Sequence, residues 1–159
     1  MKSMSEMICF QEIPDEVCLS FAISNCPFRC EGCHSPELRT DCGREVAELL
    51  HEKIPKYKDF ITCVLFLGGD DDKQRGELLG ALTYCRLQGL KTALYSGQDV
   101  FYANDQLGHL LDYYKVGRYI KELGGLSSPS TNQRLYKKEN GEWKDITYRF
   151  WTSEIENEN

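Results

Sequence analysis

Three cysteines lie within eight residues, in the spacing C-x3-C-x2-C, and this run constrains the chain more than any other feature. The three are Cys26, Cys30 and Cys33. A structural zinc site normally has four protein ligands. Three thiolates that hold a [4Fe-4S] cubane instead leave one iron without a protein ligand, and a small molecule can bind there. The spacing lets one loop wrap a corner of the cubane so that each thiolate reaches a different iron. The run therefore predicts an iron–sulfur cluster with one open iron.

Two other uses of these cysteines stay open at this point. They could be part of a zinc site, with His34 or a distant cysteine as the fourth ligand. Two of them could also form a disulfide. The N-terminal segment lacks the apolar core of a signal peptide, however, and clustered cysteines in a reducing cytosol more often bind metal or do redox chemistry. We interpret the other five cysteines, which are scattered, as ordinary buried thiols: Cys9, Cys18, Cys42, Cys63 and Cys85.

Length and composition indicate one globular domain. The 159 residues predict a single domain over 1–152, followed by an acidic tail over 153–159 that we expect to be disordered. An apolar fraction of 41% is enough for a packed core. No apolar run approaches the roughly 20 residues that cross a bilayer, so we expect a soluble, cytoplasmic protein with no membrane partner. A net charge of −6 argues against non-specific nucleic-acid binding.

The hydrophobic pattern predicts strands that alternate with helices. We expect strands at 17–23, 62–67, 92–95 and 113–116, each bounded by small or polar residues. Helices are expected at 44–58, with Asp41 as a cap, and at 100–111. Between them, Leu78, Leu79, Leu82 and Cys85 predict another helix, which Gly89 ends. Segments 134–137 and 143–150 flank Asn140-Gly141, which is a strong hairpin signal.

Alternating strands and helices are typical of a parallel sheet. A closed eightfold barrel needs about 250 residues, so the fold predicted here is a partial, open βα barrel with a C-terminal β-hairpin. Ligands of such sheets gather at the carboxyl ends of the strands. Four loops follow those ends: the cysteine run, Gly68-Gly69-Asp70, Ser96-Gly97 and Gly117-Arg118. We expect them to form one site.

These motifs together resemble the radical S-adenosylmethionine enzymes, which combine C-x3-C-x2-C after one strand with Gly-Gly-acidic after the next. Within that superfamily the chain is similar to the activating proteins of anaerobic ribonucleoside-triphosphate reductase. The stretches that carry this narrower resemblance are Lys115–Tyr119 and Gly125–Tyr136, beside the supporting stretches Cys26–Ser35, Phe66–Asp70 and Thr92–Gly97. The likeness extends from about Cys9 to Trp151.

The resemblance implies a reaction in two stages. The amino and carboxylate groups of S-adenosylmethionine chelate the open iron, and one electron from the cluster cleaves the adenosyl C–S bond. The resulting 5′-deoxyadenosyl radical takes a hydrogen atom from a glycine of the partner reductase. Glycine suits a stored radical because it lacks a side chain. The protein contributes binding and positioning, while the cofactors supply the difficult chemistry.

The resemblance also implies roles for individual residues. Cys26, Cys30 and Cys33 would hold the cluster, and Gly68, Gly69 and Asp70 would meet the methionine ammonium. Gly32 and His34 would lie along the adenine, although many members of the superfamily carry an aromatic residue at the position of Gly32. The further cofactor-binding candidates are Ser96, Gly97, Lys115, Gly117 and Arg118. Related activating enzymes often have Asp-x-Lys near residues 116–118, and this chain lacks that acid.

The implied partners are the glycyl-radical subunit of the reductase and a small electron donor such as flavodoxin. A close alternative is activation of a different glycyl-radical enzyme, since only the docking surface would differ. Activases with extra ferredoxin-like domains carry further cysteine runs, which are missing from this sequence. A third alternative is a non-catalytic module that binds zinc or a cluster.

Overall fold

The computed structural model describes residues 1–151, so the predicted acidic tail at 153–159 lies outside the described residues. The described chain is an α/β structure built on one mixed sheet of eight strands. The strands, in chain order, are β1 (Lys2–Cys9), β2 (Cys18–Ile23), β3 (Arg44–Glu45), β4 (Cys63–Leu67), β5 (Lys91–Tyr95), β6 (Tyr113–Val116), β7 (Arg134–Glu139) and β8 (Glu142–Asp145). Their order across the sheet is β3-β1-β2-β4-β5-β6-β7-β8, so β3 and β8 form its two edges.

Helices connect the central strands. They are α1 (Val46–Tyr57), α2 (Arg75–Leu87) and α3 (Gln106–Leu110), and short 3₁₀ helices cover Pro36–Arg39 and Thr147–Phe150. Strands β2, β4, β5 and β6 are parallel to one another, whereas every pairing that involves β1, β3, β7 or β8 is antiparallel. Among residues 1–151, no helix is long and apolar enough to cross a membrane.

The central strands are buried on both faces, which explains their continuous apolar sequences. Phe21, Phe66 and Leu94 belong to the core between the sheet and the helices. Leu65 and Tyr113 lie in a second core, which the segment around Ile13 and the residues after β6 help to cover. Because β2, β4, β5 and β6 are parallel, their carboxyl ends lie at the same edge of the sheet.

The structure confirms the four predicted central strands and the hairpin. Strands β7 and β8 pair antiparallel, with Glu139 opposite Glu142. Asn140 and Gly141 form the turn with φ values of 51° and 78°. A two-residue turn of this kind matches the twist of the flanking strands, which is why Asn-Gly is favoured there.

Several predicted boundaries are wrong. Asp41 does not cap α1, because its carboxylate pairs with Lys2, and the helix begins only at Val46, after the short strand β3. The helix predicted over 100–111 is confined to α3, because the Asp105 side chain accepts the N–H of Gly108 and caps it there. Strand β8 stops at Asp145, and a 3₁₀ helix takes up the rest of the segment predicted as strand.

A buried carboxylate connects several strands near the amino ends of the parallel strands. Glu16 accepts hydrogen bonds from Lys91 Nζ at 2.5 Å, from the Tyr113 hydroxyl at 2.9 Å and from Thr62 Oγ1. Burial of the carboxylate raises its pKa. The hydrogen bonds from Lys91, Thr62 and Tyr113 together outweigh this effect, so the pKa lies below its ordinary value of 4.5. The carboxylate therefore links the loop before β2 to strands β5 and β6.

Replacing Glu16 with Gln is expected to lower the free energy of unfolding at pH 7 by about 2 kcal/mol, because hydrogen bonds to a charged group contribute roughly 1.5–3 kcal/mol. A depressed folded-state pKa means that this contribution is present above about pH 4.5 and is lost as the pH falls through the folded-state value. Urea unfolding at pH 7 and pH 3, followed by circular dichroism, should show a smaller pH dependence in E16Q. The exposed Glu12 provides the control variant, E12Q. Equal acid sensitivity of E16Q and the wild type would contradict this role.

Candidate iron–sulfur site

The cysteine loop follows directly from the carboxyl end of β2, and backbone contacts fix its course. Asn25 has φ of 60°, which turns the chain out of the strand. The Cys26 N–H then donates to the Leu38 carbonyl at 2.8 Å, and the Cys33 N–H donates to the Cys30 carbonyl at 3.3 Å. The three thiols are thus held in one compact loop at the edge where the parallel strands end.

Two arginines donate hydrogen bonds to the backbone of this loop. Arg29 Nη1 donates to the carbonyls of Cys26 and Phe28, at 3.2 and 3.1 Å. Arg39 Nη2 donates to the carbonyl of Cys30 at 3.1 Å. These bonds use backbone acceptors and leave the sulfur atoms free to bind a metal centre.

The three thiols lie close enough to influence one another. All three are free cysteines, each partly exposed. Burial raises the pKa of the Cys26 thiol, and the neighbouring Cys30 and Cys33 raise it further, while the backbone N–H of Phe28 opposes this. A bound metal cation or cluster would stabilise the thiolate forms of these three cysteines.

The donor set fits a cluster better than a single zinc ion. In residues 1–151, no group of three or more His, Cys, Asp or Glu side chains is placed to hold one metal ion. A zinc site gathers its ligands around one ion, at roughly 2.0–2.3 Å. The cysteines of a cubane need not converge in this way, because each binds its own iron. His34, the candidate fourth zinc ligand, packs its ring against Tyr119 instead, with centroids 5.4 Å apart.

A cavity of about 180 Å³ joins this loop to the ends of the other parallel strands. The predicted site residues that line it are Cys26, Cys30, Gly68, Gly69, Asp70, Gly97 and Lys115. Gly68 and Gly69 have φ values of 97° and 95°, which L-residues with side chains rarely adopt, so the chain turns sharply after β4 and brings Asp70 to the cavity wall.

Asp70 is a buried acid at this wall. Only 3% of its surface is exposed, and its carboxylate accepts the Ser96 hydroxyl at 2.6 Å. Burial raises the pKa of Asp70, and the Ser96 hydrogen bond partly offsets this. In residues 1–151 no ion pair involves Asp70, so its negative charge is available to a cationic group in the cavity.

The remaining predicted residues lie beside the cavity or apart from it. Ser96 is fully buried behind the wall and orients Asp70. The Gly117 carbonyl accepts the Lys115 ammonium. Arg118 does not line this cavity: its side chain is 62% exposed, pairs with Asp99 at 3.4 Å and lines a neighbouring pocket with Cys30, so its predicted role in cofactor binding stays a prediction.

Cys33, Gly32 and His34 do not line the 180 Å³ cavity either. The Cys33 sulfur accepts the Ser35 N–H at 3.4 Å. Gly32 has φ of 71° and lies next to Lys121. Sequence reasoning missed several lining residues, namely Phe28, Gln74, Tyr95, Tyr119 and Gln133. Phe28 and Tyr95 could have been found, because Phe28 lies inside the cysteine run and Tyr95 directly precedes Ser96-Gly97.

Phe28 separates the cavity from two larger spaces. It lines a pocket of about 450 Å³ with Cys30 and Arg118, and another of about 620 Å³ with Cys26 and Asp71. A Cβ atom added at Gly97 would lie 2.9 Å from the Phe28 ring, so glycine is needed there for close approach. The ring thereby packs the cysteine loop against the residues that follow β5.

Comparison with protein families identifies the family of this chain. A family model described as a 4Fe-4S single cluster domain matches residues 16–136, about three quarters of the chain. Searches of curated proteins and of solved structures found no match. The chain therefore belongs to the 4Fe-4S single cluster domain family, a family found in radical S-adenosylmethionine-like proteins, and contains a 4Fe-4S cluster-binding domain.

Replacing Gly97 with Ala is expected to lower the free energy of unfolding by about 1–3 kcal/mol, because the new methyl group overpacks against Phe28. Urea unfolding measures this cost. Gly80 is the matched control, since nothing lies within 4 Å of a Cβ atom there. In the background of Phe28→Ala the cost of G97A should largely disappear. An equal loss in the free energy of unfolding with and without the Phe28 ring would contradict the packing of Phe28 against Gly97.

Proposed function

We propose that this member of the 4Fe-4S single cluster domain family is a radical S-adenosylmethionine activating enzyme. Its reaction would install a glycyl radical on anaerobic ribonucleoside-triphosphate reductase. The observation that carries the proposal is the shared cavity, which joins the cysteine loop to the Gly68-Gly69-Asp70 turn. The succession of parallel strands β2, β4, β5 and β6 supports a partial, open βα barrel of the radical S-adenosylmethionine type.

Cys26, Cys30 and Cys33 would hold the cluster. A bound cluster would supply the electron for reductive cleavage of S-adenosylmethionine, and the chain would position the products of that cleavage for removal of a hydrogen atom from a glycine. Cys42 is the first cysteine after this loop in the sequence, and its backbone N–H donates to Ser24 Oγ at 3.4 Å. Cys42 lies outside the C-x3-C-x2-C run that the resemblance assigns to the cluster.

The cavity walls suit the amino-acid end of the proposed substrate. The buried Asp70 carboxylate would attract its ammonium group, and the Gly68-Gly69 backbone lets that group approach closely.

The nucleoside end needs more room than the cavity provides. Small-molecule sites usually enclose 300–1,000 Å³, whereas this cavity holds about 180 Å³. The spaces of about 450 and 620 Å³ adjoin it at Phe28. Gly32 and His34 lie near the first of these spaces, next to Lys121 and Tyr119, and would line the adenine there.

The partner is proposed from the sequence resemblance. The glycyl-radical subunit of the reductase would dock over the cavity, and a flavodoxin-like protein would deliver the electron. An exposed cluster is sensitive to oxygen, so we propose an anaerobic or microaerobic cytoplasm as its location. Activation of another glycyl-radical enzyme is the second candidate, because it would use the same cavity and differ only in the docking surface.

Cys30→Ala is expected to abolish S-adenosylmethionine cleavage, because it removes one of three cluster ligands. The chain is reconstituted anaerobically with iron and sulfide, reduced with dithionite and mixed with S-adenosylmethionine, and 5′-deoxyadenosine is quantified. Cys42→Ala is the control and should retain the cluster and turnover. Bound zinc without cluster absorbance, or turnover in C30A equal to wild type, would contradict the proposal.

A glycyl radical should form when the reduced, loaded chain and S-adenosylmethionine are mixed with anaerobic ribonucleoside-triphosphate reductase. Electron paramagnetic resonance detects the radical, and a reductase variant with the radical glycine replaced by alanine serves as the control. Cleavage of S-adenosylmethionine without this signal, but with a signal on another glycyl-radical enzyme, would transfer the proposal to the second candidate.

A further inference from the structure

Lys115 is a cation placed inside the sheet. It lies on β6, with Tyr95 of β5 and Leu135 of β7 as its neighbours in register. Its surface is only 7% exposed, and it lines the cavity together with Cys26 and Cys30. Burying an ammonium group is costly unless it is paired or hydrogen-bonded, so this position calls for a physical reason.

The surroundings of Lys115 provide hydrogen-bond acceptors for its ammonium group but no neighbouring carboxylate. Its ammonium donates to the carbonyls of Ser96 and Gly117, at 2.9 and 3.0 Å. The Tyr95 ring lies 5.9 Å away and contributes a weak cation–π contact. An ammonium has three N–H donors, and within residues 1–151 no carboxylate lies at ion-pair distance from it. The positive charge is therefore not neutralised by a neighbouring acid.

Charged groups farther away partly offset the cost of burial. Burial lowers the pKa of Lys115 to about 8, while Asp70, Cys30 and Asp99 act in the opposite direction. At neutral pH the side chain is thus mostly protonated. A cluster held by three thiolates adds negative charge on the Cys30 side, which favours the protonated form further.

We propose that Lys115 raises the reduction potential of the cluster by holding a buried positive charge beside the cysteine loop. Reduction adds one electron to the cluster, and a nearby cation favours the more negative state. Water screens a surface charge, whereas Lys115 acts through the poorly polarisable interior of the sheet. The inference rests on membership of the 4Fe-4S family and not on cleavage of S-adenosylmethionine.

The test is the reduction potential of the loaded chain, measured by an anaerobic titration that electron paramagnetic resonance follows, without S-adenosylmethionine. In Lys115→Met we expect a more negative potential, with the ratio of reduced to oxidised cluster at a fixed potential lower by about tenfold, which equals 59 mV for one electron. Lys115→Arg keeps the charge and should stay close to wild type. Lys121→Met is the matched control, because Lys121 is exposed and lines the neighbouring pocket with Cys30.

Lys115→Gln is titrated in parallel, since it keeps a donor toward the two carbonyls if the methionine variant fails to fold. Iron and sulfide contents confirm that each variant carries a full cluster. An unchanged potential in the neutral variants would overturn the inference, and so would an equal shift in K121M. Because no S-adenosylmethionine is present, failure here leaves the proposed activity untouched, and loss of that activity leaves this measurement valid.

Discussion

The arrangement of this protein depends on parallel pairing of β2, β4, β5 and β6. Parallel strands need long connections, and here helices α1, α2 and α3 return the chain across one face of the sheet. Every strand in this group therefore ends at the same edge. The cysteine loop, the Gly68-Gly69 turn and the residues after β5 meet there, although they are far apart in the sequence.

The same edge concentrates buried charge. Asp70 and Lys115 both line the cavity, yet neither forms an ion pair within residues 1–151. Burial raises the pKa of Asp70 and lowers that of Lys115, so each charged form costs free energy in the folded chain. A fold that needed only stability would place apolar side chains at these positions. The two charges are thus best explained by groups that bind in the cavity, and the iron–sulfur cluster is the one that family membership supports.

The sequence was informative where burial produces a strong pattern. Apolar runs such as 62–67 predicted the central strands, and C-x3-C-x2-C predicted the cluster loop. Strand β1 escaped detection because burial does not follow polarity along it: Ser3 is buried, whereas the apolar Met4 and Met7 are exposed. The cap of α3 at Asp105 depends on a single local hydrogen bond, which hydrophobic periodicity does not reveal.

For the site, the sequence predicted which strand ends meet but not how each side chain is oriented. Strand ends could be assigned to one edge, which brought Asp70, Gly97 and Lys115 together correctly. The orientation of side chains beyond a strand end depends on local partners, and Asp99 holds Arg118 outside the cavity. The contact of Phe28 with Gly97 required the three-dimensional course of the loop.

The central claim is that three cysteines hold a cubane whose fourth iron is free to bind substrate. Mössbauer spectroscopy of the ⁵⁷Fe-loaded chain, before and after addition of S-adenosylmethionine, tests it most directly. The account predicts that one iron in four changes its spectrum when the amino and carboxylate groups bind, while the other three stay the same. Four irons that remain unchanged at saturating S-adenosylmethionine would show that the fourth corner is closed and would contradict the account.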